Sequence, residues 1–445
     1  MRSSRIAVVG LILALIGAGS IAYFHLVLFV PRVLDARARR GLGGRYALGN
    51  DFYPVWLTAR ECLPRRCDPY SAEMTRKIQT GLFGRALDAN IPTDPPTDYR
   101  SLAYPAFADI VFAPAAVLDF PALRIVLAVV LPLLTTCSLG LWMLALNWRP
   151  TPIALAVMIP LALCNYPVLE ALFAEQPGLI VGFFLAGAAL ALHRNRPLLA
   201  GILMALTTIK PQMTVLAIMY LLMRAACEWN RSEAKNGRSF IAGFFATLAL
   251  LMPTSLLLWP HWIGSWLGVV FGYHRYATPQ LVSDLLGPVW GPRLGPLLIA
   301  ALLVFAITLA WRNRRAALGS NDFWLTFTIL LAITSVAILP GQAVYDHVIL
   351  FPGILLLIRH WRDRPVRRAF RGLQVIAAIT LLWPLVTAFA LVVARAFLPA
   401  NTVYSEPLLT LPFRTALSLP FAVLALLAMS LRNRQPERAS GLVSV

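Results

Sequence analysis

Apolar runs long enough to enter a bilayer recur along this chain, and the short loops between them are thick with arginine. That alternation limits the possible folds more than any other feature. Within hydrocarbon each backbone N–H and C=O must be satisfied inside its own segment, so every run reads as a helix. The first run, over residues 6–30, exceeds the roughly 20 residues that a bilayer core requires. Further runs follow over 122–146, 153–169, 177–192, 240–258, 294–311, 323–339, 348–358, 375–393 and 414–431. Residues 198–208 and 213–223 are each too short to cross, and they meet at Lys210-Pro211 as a broken helical hairpin. Counting the hairpin as two, about twelve membrane segments are expected. The fold class is therefore an all-α polytopic membrane bundle.

Tracing the runs back and forth places each arginine-rich loop on one side: Arg149, Arg194 with Arg196, 231–238, Arg312 to Arg315, 359–371 and Arg432 with Arg434. By the positive-inside rule that side is the cytoplasm, and both termini lie there. The opposite side receives a long polar segment. The expected divisions are a first transmembrane helix over 1–30, an outer, periplasmic loop over 31–121, a helical bundle over 122–431 and a cytoplasmic tail over 432–445. Residues 104–118, broken by Pro105 and Pro114, read as a juxtamembrane or re-entrant helix, and residues 259–293 as an aromatic-rich outer loop. The start, Met-Arg-Ser-Ser-Arg and then an apolar run, has the outline of a signal peptide, but the run is too long and reads as an uncleaved helix.

The net charge of +19 would suit nucleic acid, but the basic residues sit in short clusters between apolar runs rather than on one face. No phosphate-binding glycine loop, dinucleotide fingerprint, metal-ligand spacing or nucleophile elbow is present. A nucleotide-driven pump is thereby disfavoured, and no metal or other cofactor is expected. The chain also lacks two matching halves, which argues against an inverted-repeat transporter. Cys137 and Cys164 lie in apolar runs, whereas Cys62 and Cys67 share one polar loop and would form a local disulfide in an oxidising compartment. Asn230-Arg231-Ser232 fits a glycosylation sequon on the wrong side of the membrane.

A few polar residues stand out. Asp51, in Gly49-Asn50-Asp51-Phe52-Tyr53-Pro54-Val55-Trp56, either caps a helix starting near Pro54 or does chemistry just outside the bilayer. Lys210, at the helix break, either binds a phosphate or snorkels and pairs with Glu175. Glu175 reads as that partner, next to Gln176. His347 follows Tyr345-Asp346 and either donates to a phosphate or hydrogen-bonds Asp346.

The layout of one span, a large outer loop with an early acid and then many spans resembles the GT-C superfamily of membrane glycosyltransferases. Asp51-Phe52 with Trp56, Asp68-Pro69-Tyr70, Tyr104-Pro105, Ala113-Pro114, Gln176, Ala200-Gly201, Ile209-Lys210-Pro211-Gln212 and Asp346-His347 before Leu350-Phe351-Pro352 are similar to glycosyltransferase family 87. They span about residues 1–360. Glu175 departs from the pattern, where glycine is more usual. The resemblance implies transfer of a sugar, with mannose the leading expectation, from a polyprenyl-phosphate-sugar donor to a glycolipid or glycan acceptor. Transfer would occur at the outer face of a bacterial inner membrane, with inversion. It makes Asp51 the general base, gives the donor phosphate to Lys210 and His347, and lines the pocket with Phe52, Tyr53, Trp56, Glu175, Gln176, Tyr345 and Asp346. The Trp259–Trp266 region joins them at the sugar end. Membrane lipid is the surrounding partner and nucleic acid is not one. The competing expectation is a flippase that moves a lipid-linked sugar without covalent chemistry.

Overall fold

The computed structural model describes residues 2–44, 51–229, 234–363 and 368–432. The sequon at Asn230, the centre of the 359–371 basic cluster and the expected tail after Arg432 lie outside the described residues. Regular structure among the described residues is helical, with one isolated bridge between Gln280 and Pro340.

The first helix is longer than its apolar run. α1 (Arg2–Tyr23) passes through a π-turn, Phe24–Phe29, into α2 (Val30–Arg39) without a break, whereas the sequence reading ends it at residue 30. Pro31 explains the π-turn. A proline inside a helix clashes with the carbonyl four residues earlier, and the wider turn just before it takes up that clash.

The polar segment builds a helical layer of its own. α3 (Tyr53–Arg65) is tied off by the Cys62–Cys67 disulfide. α4 (Ala72–Phe83) is capped by Ser71, whose hydroxyl accepts from Met74 N–H at 3.2 Å. Asp94 receives two bonds of 2.6 Å from Arg85, and that guanidinium holds its carboxyl below the usual range. α5 (Phe107–Val111) and a 3₁₀ turn, Ala113–Val117, form the short helical pieces expected over 104–118. They lie beneath α3, with Phe52 on Phe112 at 5.0 Å and Trp56 Nε1 donating to Leu118 O at 3.1 Å.

The bundle follows. Asp119 caps α6 (Phe120–Ala145) and Thr151 caps α7 (Pro152–Cys164). Asn165 then turns the chain by 56° into α8 (Tyr166–Phe173), its side chain bonding both helices. After α9 (Gly178–His193) come α10 (Pro197–Leu206) and α11 (Val215–Cys227), separated by the break at Lys210. α12 (Ala234–Leu258) crosses α10 at two glycines. A Cβ on Gly201 would stand 2.1 Å from Phe240 O, and one on Gly243 would stand 2.3 Å from Leu198 O. Such close approach needs glycine on both helices. Gly201→Ala is expected to cost about 1–3 kcal/mol by overpacking; a fall in the unfolding temperature of the detergent-solubilised protein checks it.

α13 (Trp262–Gly272), a 3₁₀ turn at Tyr273–Arg275, α14 (Leu281–Leu285) and the start of the next helix at Gly287 make most of the expected 259–293 loop helical. α15 (Gly287–Arg312) then precedes α16 (Asn321–Ala337), which is buried on every side from Phe323 to Ala337 and forms the centre of the bundle. A 3₁₀ turn, Val344–Leu350, leads into α17 (Phe351–Asp363), so the expected run over 348–358 is part turn and part helix. α18 (Arg368–Phe397), α19 (Ala400–Val403), α20 (Leu411–Ala416) and α21 (Leu419–Arg432) complete the described chain. Among the described residues six helices are long and apolar enough to cross a membrane, or seven if α7 and α8 are one bent span. The expected count of about twelve includes shorter apolar helices such as α9, α11 and α16, which fall below that length.

Contacts gather the arginine-bearing helix ends. His193 Nε2 meets Asn147 Oδ1 at 3.1 Å, Tyr220 donates to Asn313 O at 3.1 Å and His360 meets Asn321 at 3.3 Å. Arg359 donates to Leu146 O, and Arg224 to Ala316 O. Elsewhere the polar segment docks on the α12–α14 region: Trp266 donates to Ala103 O at 3.1 Å, and Arg275 meets Asp98 at 3.3 Å. The chain breaks that carry Gln176, Lys210 and Asp346 belong to the end with the polar segment.

Candidate active site

Several departures from regular helix create the site. Asp51 precedes α3, and its N–H donates to Ala174 O at 2.9 Å, which pins the polar segment to the end of α8. The next residue, Glu175, is left-handed at φ 51°, and this turn presents Gln176 ahead of α9. A left-handed position favours glycine, so Glu175 holds a backbone conformation that glycine would adopt at less cost. Lys210 lies between two 3₁₀ turns at φ −130°, where Pro211 forbids α10 from continuing. Across that break Thr207 and Thr214 join hydroxyls at 3.0 Å. Asp346 comes from the 3₁₀ turn after α16.

These pieces form one polar chain. Arg100 donates to Asp51 Oδ1, and Gln176 Nε2 donates to Asp51 Oδ2. Lys210 Nζ donates to Gln176 Oε1 at 3.1 Å and to Asp346 Oδ1 at 2.6 Å. An ammonium can only donate, so Lys210 fixes the Gln176 amide with its oxygen inward and its NH₂ toward Asp51. Two carboxylates and two cations thus alternate along the chain. Lys210 and Asp346 are 7% and 2% exposed, while Asp51 keeps 19% of its side chain accessible. Lys210 also lies 4.9 Å from the centre of the Tyr345 ring. Packing leaves little slack, since a Cβ on Gly178 would come within 2.7 Å of Asp346 Oδ1.

Of the two carboxylates in this polar chain, Asp51 is the more accessible. Asp346 is buried on Lys210. Asp109 is fully buried, hydrogen-bonded to Thr58 at 3.0 Å, and burial pushes its carboxyl well up. Glu175 takes a 2.7 Å bond from Arg124.

Three expectations change. Asp51 does not cap α3: the cap position is Phe52 with no side-chain bond, and the carboxylate is committed to Arg100 and Gln176. Glu175 does not pair with Lys210, because the α8–α9 turn points it at Arg124 on α6. His347 does not bond Asp346; it is 3% exposed, and neither ring nitrogen has a hydrogen-bond partner. Among the aromatic candidates Tyr345 stays at the polar chain through Lys210, and the others are buried among apolar neighbours. Phe52, Tyr53 and Trp56 are 1%, 7% and 7% exposed, with Tyr53 and Trp56 packed on Phe120 at 4.8 Å and 5.0 Å. Trp262 is buried against Phe107. They hold α3 and the 104–118 segment in place rather than lining an opening.

Neither Arg100, in the polar segment, nor Arg124, on α6, is distinguished in the sequence from the chain's other arginines. Nothing in spacing marks them, because their partners lie 49 and 51 residues away.

A family model described as glycosyltransferase family 87 matches residues 102–340, just over half of the chain. The matched stretch contains Gln176 and Lys210; Asp51 and Asp346 lie outside it and join it through the hydrogen bonds above. No curated protein and no solved structure matches the chain.

Proposed function

The chain belongs to glycosyltransferase family 87, and on that premise we propose that it transfers a sugar, mannose first among the candidates, from a polyprenyl-phosphate donor to a glycolipid or glycan acceptor. The observation that carries this reading is the bonded chain Asp51–Gln176–Lys210, which joins an accessible carboxylate to a buried cation. The acceptor hydroxyl attacks the anomeric carbon and gives its proton to Asp51. The bond from that carbon to the phosphate oxygen breaks, and its electron pair leaves with the phosphate. Attack opposite the leaving group inverts the anomeric centre.

A leaving phosphate needs positive charge more than it needs an acid. Lys210 has three N–H donors, and Asp346 and Gln176 use two, so one remains for a phosphate oxygen. His347 supplies a ring N–H to the same group. The lipid tail stays in the membrane alongside the bundle, whose outward helix faces are apolar.

The arginine-bearing end faces the cytoplasm in this reading, and the site faces outside. The Cys62–Cys67 disulfide supports that orientation, since disulfides persist in oxidising compartments. Purified protein in liposomes, given polyprenyl-phosphate-mannose labelled in the sugar together with extracted lipid acceptors, tests the proposal. The expected result is label on a new glycolipid and release of unglycosylated polyprenyl phosphate. Label that changes leaflet but stays on its original carrier would make the protein a flippase instead.

A further inference from the structure

The cation bound to Asp51 raises a problem for a general base. Arg100 donates to one oxygen of Asp51 and Gln176 to the other, so neither oxygen is open to an incoming hydroxyl. An acceptor hydroxyl reaches the carboxylate once Arg100 gives up its oxygen.

Around Arg100 the main chain is fixed by its neighbours and the side chain is the part that stays partly exposed. The Arg100 backbone is left-handed at φ 66°, an unfavourable conformation for a residue with a side chain. Buried Gln79 clamps the segment by donating to Thr97 O and Tyr99 O, both at 2.8 Å. The Tyr99 ring stacks on Phe83 at 6.3 Å and meets Tyr276 edge-on at 5.2 Å. On the other side Leu102 is fully buried. The main chain is held in a strained turn while the side chain, 27% exposed, reaches Asp51. Strain maintained by such a clamp marks a residue whose direction matters.

Charge balance identifies the group Arg100 goes to. Without substrate, Asp51 and Asp346 are offset by Arg100 and Lys210. The donor is a phosphodiester with one negative charge, and it gains a second as its bond to the sugar breaks. Lys210 is already neutralised by Asp346 at 2.6 Å. Arg100 is the cation whose present partner is the residue that must be released.

We propose that Arg100 is a second phosphate-binding residue of the donor site, held on Asp51 when the site is empty and transferred to the phosphate when the donor binds. This rests on the polyprenyl-phosphate donor proposed above. Donor binding then has two effects: the phosphate gains a forked donor, and Asp51 becomes competent as a base. Acceptor deprotonation is thereby confined to molecules that already hold a donor.

Binding measured in an Asp51→Asn background, where turnover is slowed and the carboxylate that holds Arg100 is gone, tests whether Arg100 reaches the phosphate. The probes are a short-chain polyprenyl phosphate and the polyprenol of the same length. Adding Arg100→Ala is expected to weaken binding of the phosphate about tenfold or more, the scale of one charge-assisted hydrogen bond. Polyprenol binding should not change, and it reports that the double variant is folded. Arg100→Lys, which keeps a point charge but loses the fork, should fall between the two, and it decides the matter if Arg100→Ala does not fold. Equal preference for phosphate over alcohol with and without Arg100 would overturn the inference and leave Arg100 a positioning residue for Asp51. If Asp51→Asn alone shows no preference for the phosphate, the donor reading fails and this inference fails with it.

Discussion

Asp51→Asn is expected to lower the rate of sugar transfer by about 10²–10⁴-fold, the usual contribution of a positioned general base, with no loss of folding or membrane insertion. The asparagine has the same shape and keeps an oxygen for Arg100; its NH₂ faces the Gln176 NH₂ and that one bond is lost. The turn that joins the polar segment to α8 rests on the Asp51 N–H bond to Ala174 O, which the substitution does not touch. Also lost is the ability to accept a proton. Asp51→Glu is the informative companion. It keeps the carboxylate but moves it by about one bond length, and a displacement near 1 Å costs on the order of 10²-fold when geometry controls the step. Initial rates of labelled product formation, with unfolding temperatures as the control, check both. Wild-type rates in Asp51→Asn would remove it as the base.

The second large effect concerns Lys210, where stability and catalysis must be separated. Lys210→Met leaves Asp346 as an unpaired charge in the bundle. Breaking one side of a buried pair costs about 3–5 kcal/mol, so the single variant loses stability and activity together. Asp346→Asn added to it removes the stranded charge. The double variant is expected to recover most of the unfolding temperature and none of the activity, because the Gln176 amide is no longer oriented and the phosphate has lost its ammonium. Activity restored in step with stability would make the pair structural.

The helical architecture was legible because bilayer physics leaves few options. Long apolar runs must be helices, and several arginine-bearing helix ends meet, as in the contacts joining Arg359 to Leu146 and His193 to Asn147. The helix break at Lys210-Pro211 was legible for the same local reason, since proline cannot continue α10. Partner choice was not. Lys210 pairs with Asp346 across 136 residues rather than with the nearer Glu175, and no local rule carries that information. The left-handed backbone at Glu175 turns its side chain from Lys210 and toward Arg124. Asp51 was singled out by its place after the first helix, but its cap reading failed because tertiary partners on Arg100 and Gln176 take both oxygens. Short interior helices such as α16, buried all round, carry no amphipathic stripe that would tell a crossing helix from a core helix.

Phosphorus NMR of polyprenyl-phosphate-mannose mixed with purified protein and acceptor lipid reads directly whether this polar chain breaks the bond between a sugar and a lipid phosphate. The phosphodiester signal is expected to give way to a phosphomonoester in step with the appearance of mannosylated acceptor, and Asp51→Asn is expected to slow that conversion by about 10²–10⁴-fold. A diester that persists in the presence of folded wild-type protein, while the labelled lipid changes leaflet, would contradict the transfer reading.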